Sequence, residues 1–236
     1  MLNRPHRQPG QSLEARRTIT AELRQKLRDL PASPFDWAKL DVSAMLGAAG
    51  APADLRLQAM ARLLCTAPAR ARELRALWKE CVVTAACAWR LAGDLRADRE
   101  NSAIAGLLHR LGDILTLRAI AEAEHASGLR LDATSKAELC AELSGQQLER
   151  AVRAWGVPAQ AATTAGEWQR LREFPSAAAD ATTVYLARMV AIELLTPQFS
   201  APGLLEHAAE EAGLAPAVLS ALRADVTIRE LAASHQ

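Results

Sequence analysis

Tyrosine occurs once and phenylalanine three times in 236 residues, so the aromatic residues that favour strands are scarce. Lysine is confined to positions 26, 39, 79 and 136, which leaves arginine as 24 of the 28 basic residues. A formal net charge of +1 gives no electrostatic footprint for nucleic acid or an acidic membrane surface. The four cysteines (Cys65, Cys81, Cys87 and Cys140) form no CxxC pair, and three of them lie within apolar runs. That spacing excludes a zinc knuckle or a disulfide framework and suits buried thiols in a reducing compartment. No stretch approaches the roughly 18 uninterrupted apolar residues of a spanning helix. The N-terminal MLNRPHRQPGQS also lacks the apolar segment of a signal peptide. A cytoplasmic location is therefore expected. There is no P-loop, no GxGxxG and no GxSxG.

What is abundant is alanine, with 51 residues, alongside Leu, Arg and Glu. These are strong helix formers, and no alternating strand pattern of useful length occurs, so the expected fold is all-α. The excess of Ala and Arg is that of a GC-rich coding sequence and by itself carries no function. Half the residues are hydrophobic, enough to build a sizeable core. Residues 1–12 read as a disordered leader and 13–30 as an amphipathic helical extension ended by Pro31; the main domain is expected over 31–236. Within it, prolines divide short helices at about 36–48 and 53–66. Between Ala69 and Ala92 there is neither glycine nor proline. Leu74, Leu77, Trp78, Cys81, Val82, Ala85 and Trp89 recur there at helical spacing, which predicts one long helix stopped by Gly93. The next helix should start after Asp98 and bend near Gly112. Ser135-x-x-Glu138 has the form of a capping box for a helix ending at Trp155-Gly156. Pro158 opens a helix to about Leu171, followed by helices at 176–195, 203–212 and 216–233.

His109, in GLLHRLGDILTL, is the residue that points to function. Asn101–Leu117 resembles the AGLLHDIG core of the HD superfamily of metal-dependent phosphohydrolases, and more closely its HDOD branch, the HD-related output domain of bacterial signalling. Leu77-Trp78-Lys79-Glu80-Cys81 stands where that family carries W-x-H-S. Trp155-Gly156-Val157-Pro158 fits its W-n-L-P signature, and Ala181–Ala187 echoes its A-x-x-V-x-L-A segment. The resemblance is clearest over 77–195. The front of the family domain survives at most as Leu30-Pro31 and Pro34. The implied architecture is an HD-like multi-helix bundle with no significant sheet.

An HD phosphohydrolase holds its metal with imidazoles and a carboxylate and presents a coordinated water to phosphorus. Carried over position by position, that ligand set is nearly gone here. The first histidine falls on Glu80. The HD pair becomes His109-Arg110, a later histidine falls on or near Ser144, and a His-His pair falls on Trp168-Gln169. Trp168 would fill the pocket. A guanidinium repels divalent cations and has no lone pair to give. Glu80, His109 and Asp113 could in principle make a replacement cluster, although Gly112 and Arg110 oppose it. Cys81 follows a carboxylate, which disfavours a thiolate nucleophile. The run Arg70, Arg72 and Arg75, with Arg62, could line a phosphate-binding face but reads first as a solvated helix surface. Glu80 and Arg110, brought to one point by the resemblance, are expected either to pair with each other or to part, with Arg110 pointing to solvent and Glu80 pairing elsewhere.

The expected function is thus a non-catalytic HDOD-like regulatory module that acts on a signalling protein partner. It would use no cofactor, no metal and no catalytic residue. Its remnant pocket would be Glu80, His109, Arg110, Asp113, Ser144, Trp168 and Gln169. The alternatives are a protein that binds a nucleotide or nucleotide second messenger in that pocket, and a residual metal-dependent phosphohydrolase.

Overall fold

A computed structural model describes residues 21, 70–128, 130–167, 178–201 and 203–233. Helices expected at 13–30, 36–48 and 53–66, apart from Ala21, lie outside the described residues. So do Trp168, Gln169 and the expected helix end near Leu171. Among the described residues there are nine α-helices and one 3-10 turn, with no strand. The fold is all-α.

The long helix α1 (Ala71–Leu91) is the axis of the molecule. Its first half buries one stripe, Leu74, Trp78 and Cys81, whereas from Cys81 to Ala88 every residue is buried. A helix buried all round must be covered on two sides, and α1 is: α2 (Arg99–Leu108) packs on one side and α6 (Ala179–Leu195) on another. The approach to α2 is close. A Cβ at Gly106 would lie 3.0 Å from the Ala85 Cα, so glycine opposite alanine lets the two backbones meet. Asp98 caps α2, its carboxylate accepting the Asn101 N–H at 2.8 Å.

Helix α2 ends at Leu108, and α3 (Leu111–Ser127) begins after His109 and Arg110. The bend therefore lies at His109-Arg110 and not at Gly112. Gly112 sits inside the first turn of α3, where its missing side chain has another use. A Cβ there would overlap the Ser144 carbonyl on α4 (Ala133–Trp155). The glycine that sequence reasoning took for a break is a contact point between two helices. Asp132, not Ser135, caps α4: its carboxylate accepts the Ser135 N–H at 2.8 Å, so Ser135 is already helical and the expected capping box is not formed. The helix closes at Gly156, whose φ of 67° suits glycine.

Helix α5 (Ala159–Glu167) follows Pro158 as expected, and α6 ends just before a 3-10 turn at Pro197–Phe199. The C-terminal part holds α7 (Leu204–Glu211), α8 (Pro216–Ala224) and α9 (Val226–Ala233). One helix was expected over 216–233, but Asp225 divides it. Its carboxylate accepts the Ile228 N–H at 3.1 Å and so starts α9, and it also pairs with Arg90 of α1 at 3.2 Å.

Two apolar clusters result. The first joins Trp78, Cys81 and Ala85 of α1 to α2, α3, α4, α5 and the start of α6, with Trp155 at its edge. The second joins Val83, Ala86, Cys87 and Leu91 of the same helix to the later part of α6 and to α7–α9. Within the first cluster, the side chain of Asp180, buried in the first turn of α6, ties that helix to α2 and α5. It accepts the Asp98 N–H at 2.9 Å, the Gln160 Nε2–H at 2.7 Å and the Ser102 hydroxyl at 3.4 Å.

Candidate functional site

The elbow between α2 and α3 faces α1, α4 and α6, and there the structure gathers five of the expected pocket residues. Burial carries His109 to the centre, with its side chain fully enclosed. As the residue that closes α2, it turns its Nδ1–H back to the Gly106 carbonyl at 2.6 Å. Its Nε2 then faces α1 and lies 3.5 Å from Glu80 Oε1. The same oxygen accepts the Arg188 Nε–H from α6 at 2.9 Å.

Burial works to raise the Glu80 pKa. The contact with His109 and the charges of Arg188 and Arg110 outweigh it, and the carboxyl is held at about 2. Burial also lowers the His109 pKa, against the pull of Glu80. The imidazole is therefore neutral at pH 7, and the cation that stands beside Glu80 there is Arg188.

Arg110 does not pair with Glu80, the first of the two outcomes expected from the resemblance. Its Nε lies 3.1 Å from Asp113 Oδ2, a charge contact without the alignment of a hydrogen bond. The reason is local. Arg110 stands at the start of α3, and Asp113, three residues on, is within reach across the first turn. Asp113 Oδ1 accepts the Ser144 hydroxyl at 2.6 Å, beside the place where Gly112 admits the α4 backbone. Glu80 meanwhile has a nearer cation in Arg188.

The junction thus holds two compensated units: Arg188–Glu80–His109, which joins α6, α1 and the elbow, and Arg110–Asp113–Ser144, which joins α3 to α4. Glu80, His109 and Asp113 do not make a metal cluster. No three His, Cys, Asp or Glu side chains gather as metal ligands among the described residues. The donor set does not suit a divalent ion, because each carboxylate already holds a guanidinium. Cys81 is fully buried and its thiol is pushed far above the ordinary range, chiefly by burial. Of the arginine run, Arg70 is committed to Glu124 at 2.9 Å and Glu73 at 2.8 Å, while Arg62 lies outside the described residues.

Arg188 was missed by the sequence reading. Its signal was present: it is the only basic residue in α6 and lies in the apolar stretch 184–192 (VYLARMVAI), where a lone cation needs a partner. Its partner lies 108 positions away, which no local pattern discloses.

The fold and this junction define an all-α bundle with a charge-compensated polar centre. The chain belongs to the HDOD family: the model of the HDOD domain matches residues 45–169, more than half its length. No curated protein and no solved structure matches it. The family is one associated with signalling. The match begins well before Leu77, where the resemblance became clear, and stops short of Ala181–Ala187. It spans α1 to α5 with Glu80, His109, Arg110, Asp113 and Ser144, but not Arg188. Among the described residues no helix is long and apolar enough to cross a membrane.

Proposed function

We propose that this HDOD protein is a non-catalytic regulatory module that works by binding a protein partner. One observation carries the reading: among the described residues, each charge at the junction is answered by another residue of the chain. Glu80 is held by Arg188, and Asp113 by Arg110. A hydrolase of the HD type needs carboxylates and imidazoles free to bind metal. A phosphate pocket needs arginines free to make bidentate contacts. Two carboxylates against two guanidiniums, with a neutral imidazole, leave no charge over for either task. This weighs against both the nucleotide-binding and the phosphohydrolase readings.

The test is direct. Purified protein should hydrolyse a generic phosphodiester such as bis(p-nitrophenyl) phosphate no faster than buffer does, with or without added Mn2+. A panel of nucleotides and cyclic dinucleotides should leave its melting temperature unchanged, since a ligand that binds only the native state raises it. A saturable rise with one nucleotide would replace the proposal with the nucleotide-binding reading. Turnover that disappears in Glu80→Gln would replace it with the enzymatic one.

A further inference from the structure

Two lone-pair donors converge beside α1. Because the Nδ1–H of His109 is committed to the Gly106 carbonyl at 2.6 Å, it is Nε2 that faces Glu80, 3.5 Å from Oε1. Tetrahedral nitrogen and oxygen ligands about 2.0–2.2 Å from a small divalent cation stand roughly 3.4 Å from each other. The spacing is therefore that of two ligands of one ion. An imidazole whose other nitrogen is fixed by a carbonyl is also the form in which proteins present histidine to metals. With its one proton on Nδ1, the imidazole offers a lone pair at Nε2 as the carboxylate does at Oε1, so this contact attracts only when the ring takes up a second proton. A positive charge has to stand beside them, and the one that does is the Arg188 guanidinium, 2.9 Å from the same oxygen.

We propose that Arg188 is a built-in cation that takes the place of a divalent metal at Glu80 and His109, and that it is the residue that keeps an external ion out. The proposal rests on the metal-free reading above and names its cause. Arg188 is tethered by α6, so its local concentration does not depend on the surroundings. It stays charged at every physiological pH and cannot itself ligate a metal. Arg110 adds a second positive charge within the field of Glu80 and works in the same direction.

The experiment is Zn2+ binding to the full chain by titration calorimetry and thermal shift. It compares the wild type, Arg188→Ala, Arg188→Met, Arg188→Lys and the double variant Arg188→Met with Glu80→Gln. His207→Ala is added to the Met variant because His207 and Glu211 form an exposed pair, 3.5 Å apart, that could collect surface zinc. Arg188→Ala or Arg188→Met should take up about one equivalent of Zn2+ at least about tenfold more tightly than the wild type. Arg188→Lys, which keeps a cation, should behave as the wild type does. Loss of Glu80 should abolish the gain, and loss of His207 should not. If the Ala and Met variants fold and bind Zn2+ no better than the wild type, the proposal is overturned while the metal-free reading stands. If the wild type itself binds an equivalent through Glu80, both are overturned. Should the Ala and Met variants both unfold, recovery of the folded signal by Zn2+ that requires Glu80 supports the proposal, and failure to recover overturns it.

Discussion

At the scale of single residues the two arginines of the junction separate cleanly. Arg110 forms an ion pair three residues apart along one helix, with a quarter of its side chain exposed, and partly exposed pairs of that kind contribute little. Arg110→Ala should cost no more than about 1 kcal/mol in urea unfolding. Arg188 holds together two helices distant in sequence, and its removal leaves the mostly buried Glu80 carboxylate without its cation. Arg188→Ala should cost roughly 1–3 kcal/mol, the desolvation penalty of a polar group left without its partner. Equal effects of the two changes would refute this assignment. The same unit sets a pH dependence. Burial lowers the folded-state pKa of His109 below its ordinary 6.5. As pH falls through that value the unfolded chain takes up the proton first, so stability declines. Glu80 extends the decline with the same sign between its ordinary 4.5 and about 2, because its depressed pKa stabilises the fold only while the carboxyl is ionised. Urea midpoints should drop steadily below pH 6.5, and His109→Asn should flatten the first part of the fall. A wild-type midpoint that does not change from pH 7 to pH 5 would remove His109 from the explanation.

At the scale of helices, glycine separates contact from mere presence. A Cβ at Gly112 would overlap the Ser144 backbone on α4, whereas one at Gly145 would meet nothing within 4 Å. Gly112→Ala should destabilise by about 1–3 kcal/mol through overpacking. Gly145→Ala, in an open position of α4, should stabilise by up to roughly 1 kcal/mol through helix propensity. Opposite signs in thermal unfolding are the expected result, and a stabilising Gly112→Ala would show that α3 and α4 do not approach as described. The same glycines show how far the sequence could be read. The start of α2 at Asp98, the end of α4 at Gly156 and the end of α6 before Pro197 were legible because proline, glycine and capping aspartate act within a few residues. Gly112 was misread because a glycine placed for close packing looks, in one dimension, like a glycine placed to end a helix. Asp225 was overlooked because it caps a helix inside what reads as one continuous amphipathic run. A family pattern named Glu80, His109, Arg110, Asp113 and Ser144, which stand together at the junction. It did not disclose their pairing, since the deciding partner, Arg188, comes from a helix far along the chain.

At the scale of the whole molecule, α1 belongs to both apolar clusters, so the two should melt together. Trp78 and Trp155 report on the first cluster, while Leu219 lies fully in the second. Leu219→Ala should lower the transition followed by tryptophan fluorescence as much as that followed by circular dichroism. The expected loss is about 2–5 kcal/mol, as for other buried leucines truncated to alanine. Two separate transitions would show that the clusters are independent. This sharing also bears on how the family unit can be handled. The HDOD match stops at residue 169, whereas Val83, Ala86, Cys87 and Leu91 are covered by α6 to α9, which lie beyond it. A polypeptide cut back to the matched residues would turn that side of α1 into a bare oily stripe facing water. It should then be recovered from cells as sticky oligomers, because the homologous segment borrows half of its lining from the sequence that follows it.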